Sequence, residues 1–485
     1  MDAQTVEQVK SIFGNRATTD DFERSFYERD LAPIPDFLVK PLAHTLPDIV
    51  VRPQTTEEVA CLVKLAKEQK VAVTTRAGGS TVYFNAVCTQ NGIILDINGV
   101  NGLTAVDAEN RVVRVGAGMT WWELERRLEP FGLATCSYPS SAQAATIGGW
   151  LVMMGYGIGS LQYGPVMDQV VAAQVVLPDG SNKKLDKTSK PPLTWFAASE
   201  GTLGIVMEVE LKVRSKPETE WHNVAVFENA GQMQTFIEEA VELKNKPFNL
   251  HFSDPGCNSR RQRLGLAGSQ SGEAYTVAFD ADGSAEETQT ARLAFKRCLQ
   301  AAKGGELGET EGNQEWRHRF YSLVLKREGP SLLGAEICLP ILKLADYLAA
   351  VAAFGDKQKL KINSYGHIIS PQYAMIMTMF NADERDTVGY LQGLALVKKL
   401  HDIGARHGGV PYGIGLWNTP YLSRCQTNQE LAELKRRKQL LDPHNIMNPG
   451  KRYEAPLLLK PPLFAVGMDV LAATRWVYRG GRNQP

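Results

Sequence analysis

The chain has 485 residues, 44% of them apolar and 22% charged, and its 53 Lys+Arg balance its 53 Asp+Glu. That length exceeds what one hydrophobic core usually serves, so two domains are expected. A balanced charge gives no net field to draw in nucleic acid, and no stretch reaches the roughly 18–20 apolar residues of a membrane-crossing helix.

In chain order, residues 1–45 read as a helical, partly irregular lead-in, and MDAQTVEQVKSIFGNR lacks the apolar core of a signal peptide. TTEEVACLVKLAKEQK (55–70) has the period of an amphipathic helix, with Thr55 and Glu58 spaced as a capping box. VAVTTR (71–76) is a strand, followed by the loop AGGST. Strands at 92–97 and 111–118 and a helix at 120–132 precede a long Gly/Ala/Ser stretch, 137–164. Residues 170–185 form a hairpin turning at Pro-Asp-Gly-Ser, and 205–217 alternates as an antiparallel strand does. After Pro217 strand-like runs (222–227, 275–279, 335–339, 359–364, 373–380) alternate with long helical patterns (230–245, 285–303, 341–355, 384–406). That suits a second, α+β domain with an antiparallel sheet. One more helix, 428–441, leads into LLDPHNIMNPGK. The seven cysteines are dispersed with no CxxC pair, which argues against a zinc or iron–sulfur site and fits reduced thiols in a cytoplasm.

The loop after the first strand has the makings of a phosphate nest. Gly78 and Gly79 let backbone N–H groups converge, and Arg76, Ala77, Ser80 and Thr81 surround them with further donors. An ordinary Gly-Gly turn is the plain alternative. GYGIGS (155–160) has the wrong glycine spacing for a nicotinamide site.

Further motifs follow in order: YPSSAQAATIGGW (138–150), GYGIGSLQYGPVMDQV (155–170), PDGS (178–181), SEGTLGIVMEVEL (199–211) and DPHNIMNPGK (442–451). In these stretches the chain closely resembles the vanillyl-alcohol oxidase / p-cresol methylhydroxylase (PCMH) flavoprotein superfamily. Its layout is most similar to the branch of the glycolate oxidase flavin subunit and D-lactate dehydrogenase. The resemblance implies FAD between two α+β subdomains, with the Arg76–Thr81 loop on the pyrophosphate. It places Pro139, Ser140, Ser141, Thr146, Gly148 and Gly149 along the flavin, with Gly157, Ser160 and Tyr163 continuing that wall. Glu200, Gly201, Gly204, Ile205 and Asn448 would contact the nucleotide side. Some relatives attach the flavin through a histidine where this chain has Ser80, so that linkage cannot form. Cys136 is read as a buried core thiol.

The branch oxidises D-2-hydroxy acids, and many members hold a divalent metal with two histidines seven apart and a glutamate beside a catalytic histidine. Here His367 is kept, but seven residues on stands Ala374, and Pro411 and Tyr412 replace the glutamate and the histidine. One imidazole cannot make a metal site, so no metal is expected. The resemblance nominates Tyr412 or His367 as acid/base and Arg319 as the carboxylate clamp. Trp316, Phe320, Tyr321, Tyr365, Tyr373 and Trp417 would suit a bulkier substrate. The tail, 461–485, can form an amphipathic helix with Arg475 and Arg479 near its end. A helix packed on its own body is favoured there over a partner or membrane-surface contact.

The expected fold class is α+β: a two-subdomain, PCMH-type FAD-binding domain plus a cap domain with an antiparallel sheet and flanking helices. The expected segments are a lead-in (1–45), the FAD-binding domain (46–217), the cap (218–427), a return to the FAD domain (428–455) and the tail (456–485). The function expected is a cytoplasmic FAD-dependent oxidoreductase passing hydride from a hydroxylated, 2-hydroxy acid-like small molecule to flavin without the branch's divalent metal. An electron acceptor, which a partner protein could supply, and a homo-oligomer go with it. Phenol oxidation, a flavin relay subunit and a non-redox use of flavin like that of the alkylglycerone-phosphate synthase branch stay open.

Overall fold

The computed structural model describes residues 1–266, 272–320, 322–452, 454 and 456–480, so Tyr321 lies outside the described residues, as does the side chain of Arg479. The chain divides into two units. The first comprises Met1–Tyr156, Pro165–Ser215 and Gly413–Lys460, the second Gly157–Gly164, Lys216–Tyr412 and the chain from Pro461.

In the first unit, β1 (Ala17–Thr18), β2 (Ile49–Val51), β3 (Val73–Arg76) and β4 (Ile93–Asp96) form a sheet in the order β1-β2-β4-β3. β2, β4 and β3 run parallel, which explains why IVV and IIL are uninterrupted apolar runs: a parallel strand is covered on both faces. The crossover from β2 to β3 is the helix Thr56–Gln69, and its capping box between Thr55 and Glu58 is formed. A second, antiparallel sheet has the order β5-β6-β10-β8-β9 with β7 on β10. Its strands are β5 (Leu103–Asp107), β6 (Val112–Gly116), β7 (Leu133–Thr135), β8 (Val170–Val176), β9 (Asn182–Leu185) and β10 (Ile205–Ser215).

The return segment closes this unit. Val73 donates to the Ile446 carbonyl at 2.7 Å and its own carbonyl accepts from Asn448 at 2.8 Å, so residues 446–448 continue the edge beside β3. The return begins at Gly413, earlier than the expected 428. The reason is steric: a Cβ on Gly415, at φ +53°, would lie 2.0 Å from the Tyr83 carbonyl oxygen. At the centre is Glu200, 5% exposed. Its carboxylate accepts from Arg452 at 2.8 Å, from the Gly415 N–H at 2.7 Å and from Asn85 at 3.3 Å.

The second unit is built on one sheet in the order β14-β11-β13-β12-β16-β17-β15-β18. Its strands are β11 (Thr219–Phe227), β12 (Asn249–Ser253), β13 (Tyr275–Gly283), β14 (Gly305–Glu306), β15 (Ser331–Pro340), β16 (Asn363–Ile368), β17 (Tyr373–Ala382) and β18 (Val410–Pro411). Four long helices, Ala230–Val241, Ala285–Ala302, Leu344–Gln358 and Thr387–Arg406, supply its packing partners. Trp221, Phe236, Phe279 and Phe295 meet edge to face between sheet and helices, with Phe236, Phe279 and Phe295 fully buried. Each buried ring of this kind contributes roughly 2–3 kcal/mol. The opposite face carries polar side chains and is overlaid by the helix Glu309–Arg317, whose Trp316 stacks on His222 at 4.7 Å.

Residues 157–164 group with this second unit, not with the FAD-binding domain as expected. Gln162 donates to the Lys246 carbonyl, and Tyr163 meets Phe248 edge-on at 6.5 Å. The tail helix, Pro461–Gly480, lies along Thr387–Arg406, where Asp469 pairs with Lys398 at 3.1 Å and Lys399 at 2.7 Å. Arg475 is buried and donates to the Gln358 carbonyl. Leu463, Val466 and Val470 remain exposed on the helix. Among the described residues no helix is long and apolar enough to cross a membrane.

Replacing Arg452 by Met strands the Glu200 carboxylate in the interior. Thermal or denaturant unfolding should show a loss of about 3–5 kcal/mol.

Candidate functional site

Two loops of the first unit meet where the sequence places a dinucleotide. A Cβ on Gly78 would lie 1.9 Å from the Ala144 carbonyl oxygen, so only glycine lets the loop after β3 approach the 139–149 stretch this closely. The N–H groups of Gly78, Gly79, Ser80 and Thr81 have no hydrogen-bond acceptor among the described residues, while the loop is open to solvent. A row of unsatisfied backbone donors on a solvent-facing glycine loop is the chemistry of an anion cradle. The residues therefore fit a pyrophosphate.

Arg76 does not serve that cradle through its side chain, contrary to expectation. Its Nη1 donates to the carbonyls of Arg29 at 2.6 Å and Ala86 at 3.2 Å, and its guanidinium lies 5.4 Å from the Tyr27 ring centre. It braces the loop from within, while the Ala77 carbonyl accepts from Asn98. In the facing stretch Pro139 is buried, and Ser140 and Ser141 are progressively more open. Thr146 caps the short helix Ile147–Val152 by accepting from the Gly149 N–H, and Gly148 donates to the Ala117 carbonyl. Cys136 is buried and its thiol is pushed up to about 11 by that burial.

The Glu200–Ile205 segment was expected on the nucleotide. The Glu200 carboxylate is committed to Arg452, Gly415 and Asn85, and its carbonyl accepts from Asn448 at 2.7 Å. Gly201 turns the chain at φ +75°, Gly204 follows, and Ile205 opens β10. Asn448 also donates to the Asn85 carbonyl and accepts from Lys451. The side chains of Glu200 and Asn448 thus tie the segments behind the cradle to one another. Gly157, Ser160 and Tyr163 form a turn in the second unit, where the Gly157 N–H donates to Ser160 Oγ at 2.9 Å.

The second unit has a small cavity of its own, about 40 Å³ in volume and open to solvent. The polar face of the sheet gives it Asn249, His251, Asp280 and His367, and the covering segments give Arg261, Glu315, His318 and Arg319. His367 is 4% exposed, and its Nε2 has no partner among the described residues. Burial holds its imidazole down to about 4, so the ring is neutral at physiological pH. The neighbouring His251, with ring centres 4.7 Å apart, is held well below the usual range by burial, with His367 and Arg261 adding to the effect. Arg261 is paired with Glu315 at 2.8 Å. Arg319 lies over the rings of Trp316 and Phe320 at 4.0 and 4.3 Å.

The structure thus brings His367 and Arg319 to one cavity, from the sheet and from its cover, and leaves Tyr412 off its lining. Tyr412 follows β18, half-buried, and its N–H donates to the Glu336 carbonyl. Of the other expected aromatics, Trp316 and Tyr365 line the cavity, Tyr373 is 46% exposed, and Trp417 belongs to the first unit. The sequence reading missed Asn249, His251, Arg261 and Asp280. The one signal for the first two was polar/apolar alternation in NLHFS, the period of a half-buried strand.

The branch's metal does not fit here. Ala374 pairs with Ile368, one step from His367, so its side chain leaves the sheet on the opposite face. Pro411 sits in β18, paired with Ile337, and offers no ligand atom. Among the described residues no group of three or more His, Cys, Asp or Glu is arranged to hold a metal ion.

Comparison with known proteins matches residues 47–186 to a family described as an FAD binding domain, and residues 216–452 to one described as the C-terminal domain of FAD linked oxidases. The chain is 26% identical over 430 residues to glycolate oxidase subunit GlcD of Bacillus subtilis, covering 85% of this chain and 90% of that protein. It is 24% identical to the mitochondrial D-lactate dehydrogenase [cytochrome] of Arabidopsis thaliana, covering 92% and 80% of the two. Among solved structures, p-cresol methylhydroxylase with substrate bound superposes with a TM-score of 0.79 at 15% identity, covering 94% of this chain and 97% of that one.

Gly78→Ala should leave the unfolding midpoint near that of the parent but weaken FAD retention by about 10- to 100-fold, since misplacing the loop costs about 1–3 kcal/mol. Flavin absorbance per mole of purified protein reads the effect. A second expectation concerns acid stability. With His367 near 4 folded and 6.5 free, the unfolded chain binds the proton first. Stability is full above about 6.5 and falls as pH drops toward 4, by about 3 kcal/mol for this ring. Urea unfolding of the parent and His367→Asn between those limits should show the variant relatively more stable at the acid end.

Proposed function

We infer the substrate from the family: the chain belongs to the vanillyl-alcohol oxidase / p-cresol methylhydroxylase flavoproteins and is an FAD-dependent oxidoreductase. The substrate we propose is a small 2-hydroxy acid, oxidised without a divalent metal. Two relatives named for glycolate and D-lactate support the class. The observation that carries it is the unpartnered Nε2 of a buried, neutral His367 sharing a cavity with Arg319.

Oxidising such an acid needs a grip on the carboxylate, an acceptor for the hydroxyl proton and an acceptor for the hydride. FAD, when bound, supplies the hydride acceptor. The N–H groups of Gly78–Thr81 would hold its pyrophosphate, with the 139–149 stretch as the facing wall of the cradle. Arg319, whose Nη1 donates to the Trp316 carbonyl at 2.7 Å, gives the carboxylate a charged hydrogen bond from its guanidinium. His367 takes the hydroxyl proton at Nε2. A ring held near 4 is a weak base on its own. A substrate carboxylate beside the ring favours its charged form and so raises the imidazole. The substrate anion therefore makes His367 a stronger base than it is alone. Electrons then leave to an acceptor that a partner protein could provide.

Anaerobic addition of D-2-hydroxy acids and para-substituted phenols to the holoenzyme, with and without EDTA, tests this reading. Bleaching of the flavin by a hydroxy acid, unchanged by EDTA, is expected; bleaching by phenols alone would overturn it. Arg319→Met should raise KM for the active acid by about 10- to 100-fold, the loss of one charged hydrogen bond, with a smaller change in kcat.

A further inference from the structure

We propose that Asn249 is a positioning residue that fixes the tautomer of His367, taking the Nδ1 proton on its carboxamide oxygen so that Nε2 turns its lone pair to the cavity. This assignment rests on His367 being the proton acceptor, and names what makes that nitrogen the basic one.

A neutral imidazole carries one N–H and one lone pair, and its neighbours decide which nitrogen has which. The sheet register sets those neighbours. His222 on β11 stands opposite Asp280 on β13, and Asp280 stands opposite Asn249 on β12. These three form one transverse row, so their side chains share a face. Two residues along β12, His251 stands opposite His367 on β16, which leaves Asn249 diagonal to His367 on that face.

The hydrogen bonds along the row allow one direction. Asp280 is 2% exposed and receives His222 Nδ1 at 2.8 Å on one oxygen and Asn249 Nδ2 at 2.8 Å on the other. A carboxylate can only accept, so the amide of Asn249 must give it the NH₂ end. The amide oxygen is then left facing His367 Nδ1, 3.4 Å away. An amide oxygen can only accept as well, so the proton belongs on Nδ1. Reversing the amide would press its oxygen against the buried carboxylate and leave that charge a donor short.

The far end of the row is fixed too. Burial pulls His222 down, but Asp280 and Glu220 outweigh it and raise the ring to about 9. At neutral pH an imidazolium therefore stands on Asp280, and Trp316 is stacked on its face. The row carries polarity from His222 through Asp280 and Asn249 to His367 without moving a proton along it.

Ring-nitrogen NMR of holoenzyme labelled with ¹⁵N-histidine reads the tautomer directly. The chain has eight histidines, few enough for the His367→Asn spectrum to assign the signal by difference. In the parent, Nδ1 should be protonated and Nε2 bare. Asn249→Leu should turn the signal into a mixture of tautomers and lower kcat for anaerobic flavin reduction by D-lactate about 100-fold, with KM within about threefold. Asn249→Asp should keep the parental tautomer, because two adjacent carboxylates share one proton and the protonated one copies the amide. A parental spectrum with Nε2 protonated, or an unaltered tautomer in Asn249→Leu, overturns the assignment whatever the kinetics. If Asn249→Leu fails to fold, the parental spectrum and Asn249→Asp still decide it. Full reduction by D-lactate in His367→Asn, with the parental tautomer as expected, would remove His367 as the acceptor while Asn249's hold on the ring stood.

Discussion

A carboxylate taken out of water must be paired on both oxygens, and in each unit one such group organises what surrounds it. In the first unit it is Glu200. Its two oxygens collect Arg452, the Gly415 amide and Asn85, three groups far apart in sequence. The cradle loops are only as well placed as the segments behind them. In the second unit it is Asp280, fixed between His222 and Asn249. From that one acceptor the direction of every hydrogen bond in the row follows, including the one that reaches His367.

Local chemistry made much of this legible. The capping box at Thr55 and Glu58 marks its helix to within a residue, and the helix at Asn428–Leu441 lies where the periodicity places it. Both patterns are decided by near neighbours. The double glycine at 78–79 was readable as a nest, because close approach leaves glycine little alternative. The roles of Arg76 and Glu200 were not readable. A charged residue beside a cradle looks the same in sequence whether it faces an anion or its own interior, and only Arg29 and Ala86 for Arg76, and Arg452 and Gly415 for Glu200, decide which.

The second unit repeats that lesson through strand parity. His367 was legible from its neighbourhood in the sequence, but its partners sit on β12 and β13, and β12 is a five-residue strand whose polar positions disguised it. Alternation was present in NLHFS; what could not be seen was that the polar side faced a covered wall. Parity also separates His367 from position 374 more thoroughly than the loss of a histidine does. With Ile368 paired to Ala374, a ligand restored at 374 by substitution alone would leave the sheet on the wrong face.

The return segment has a consequence for how the protein is made. β3 is bordered by residues 446–448, and Glu200 waits for Gly415 and Arg452. A ribosome that has finished the first 215 residues has not yet supplied the chain that completes their fold. The nascent first unit must therefore hold a buried-to-be carboxylate without its cation while some two hundred further residues emerge. The second unit, contiguous from Lys216 to Tyr412 apart from two short pieces, faces no such wait in its main body. Synthesis order thus favours a late locking step, in which the last stretch of the first unit to leave the ribosome turns a provisional scaffold into a cofactor-ready one.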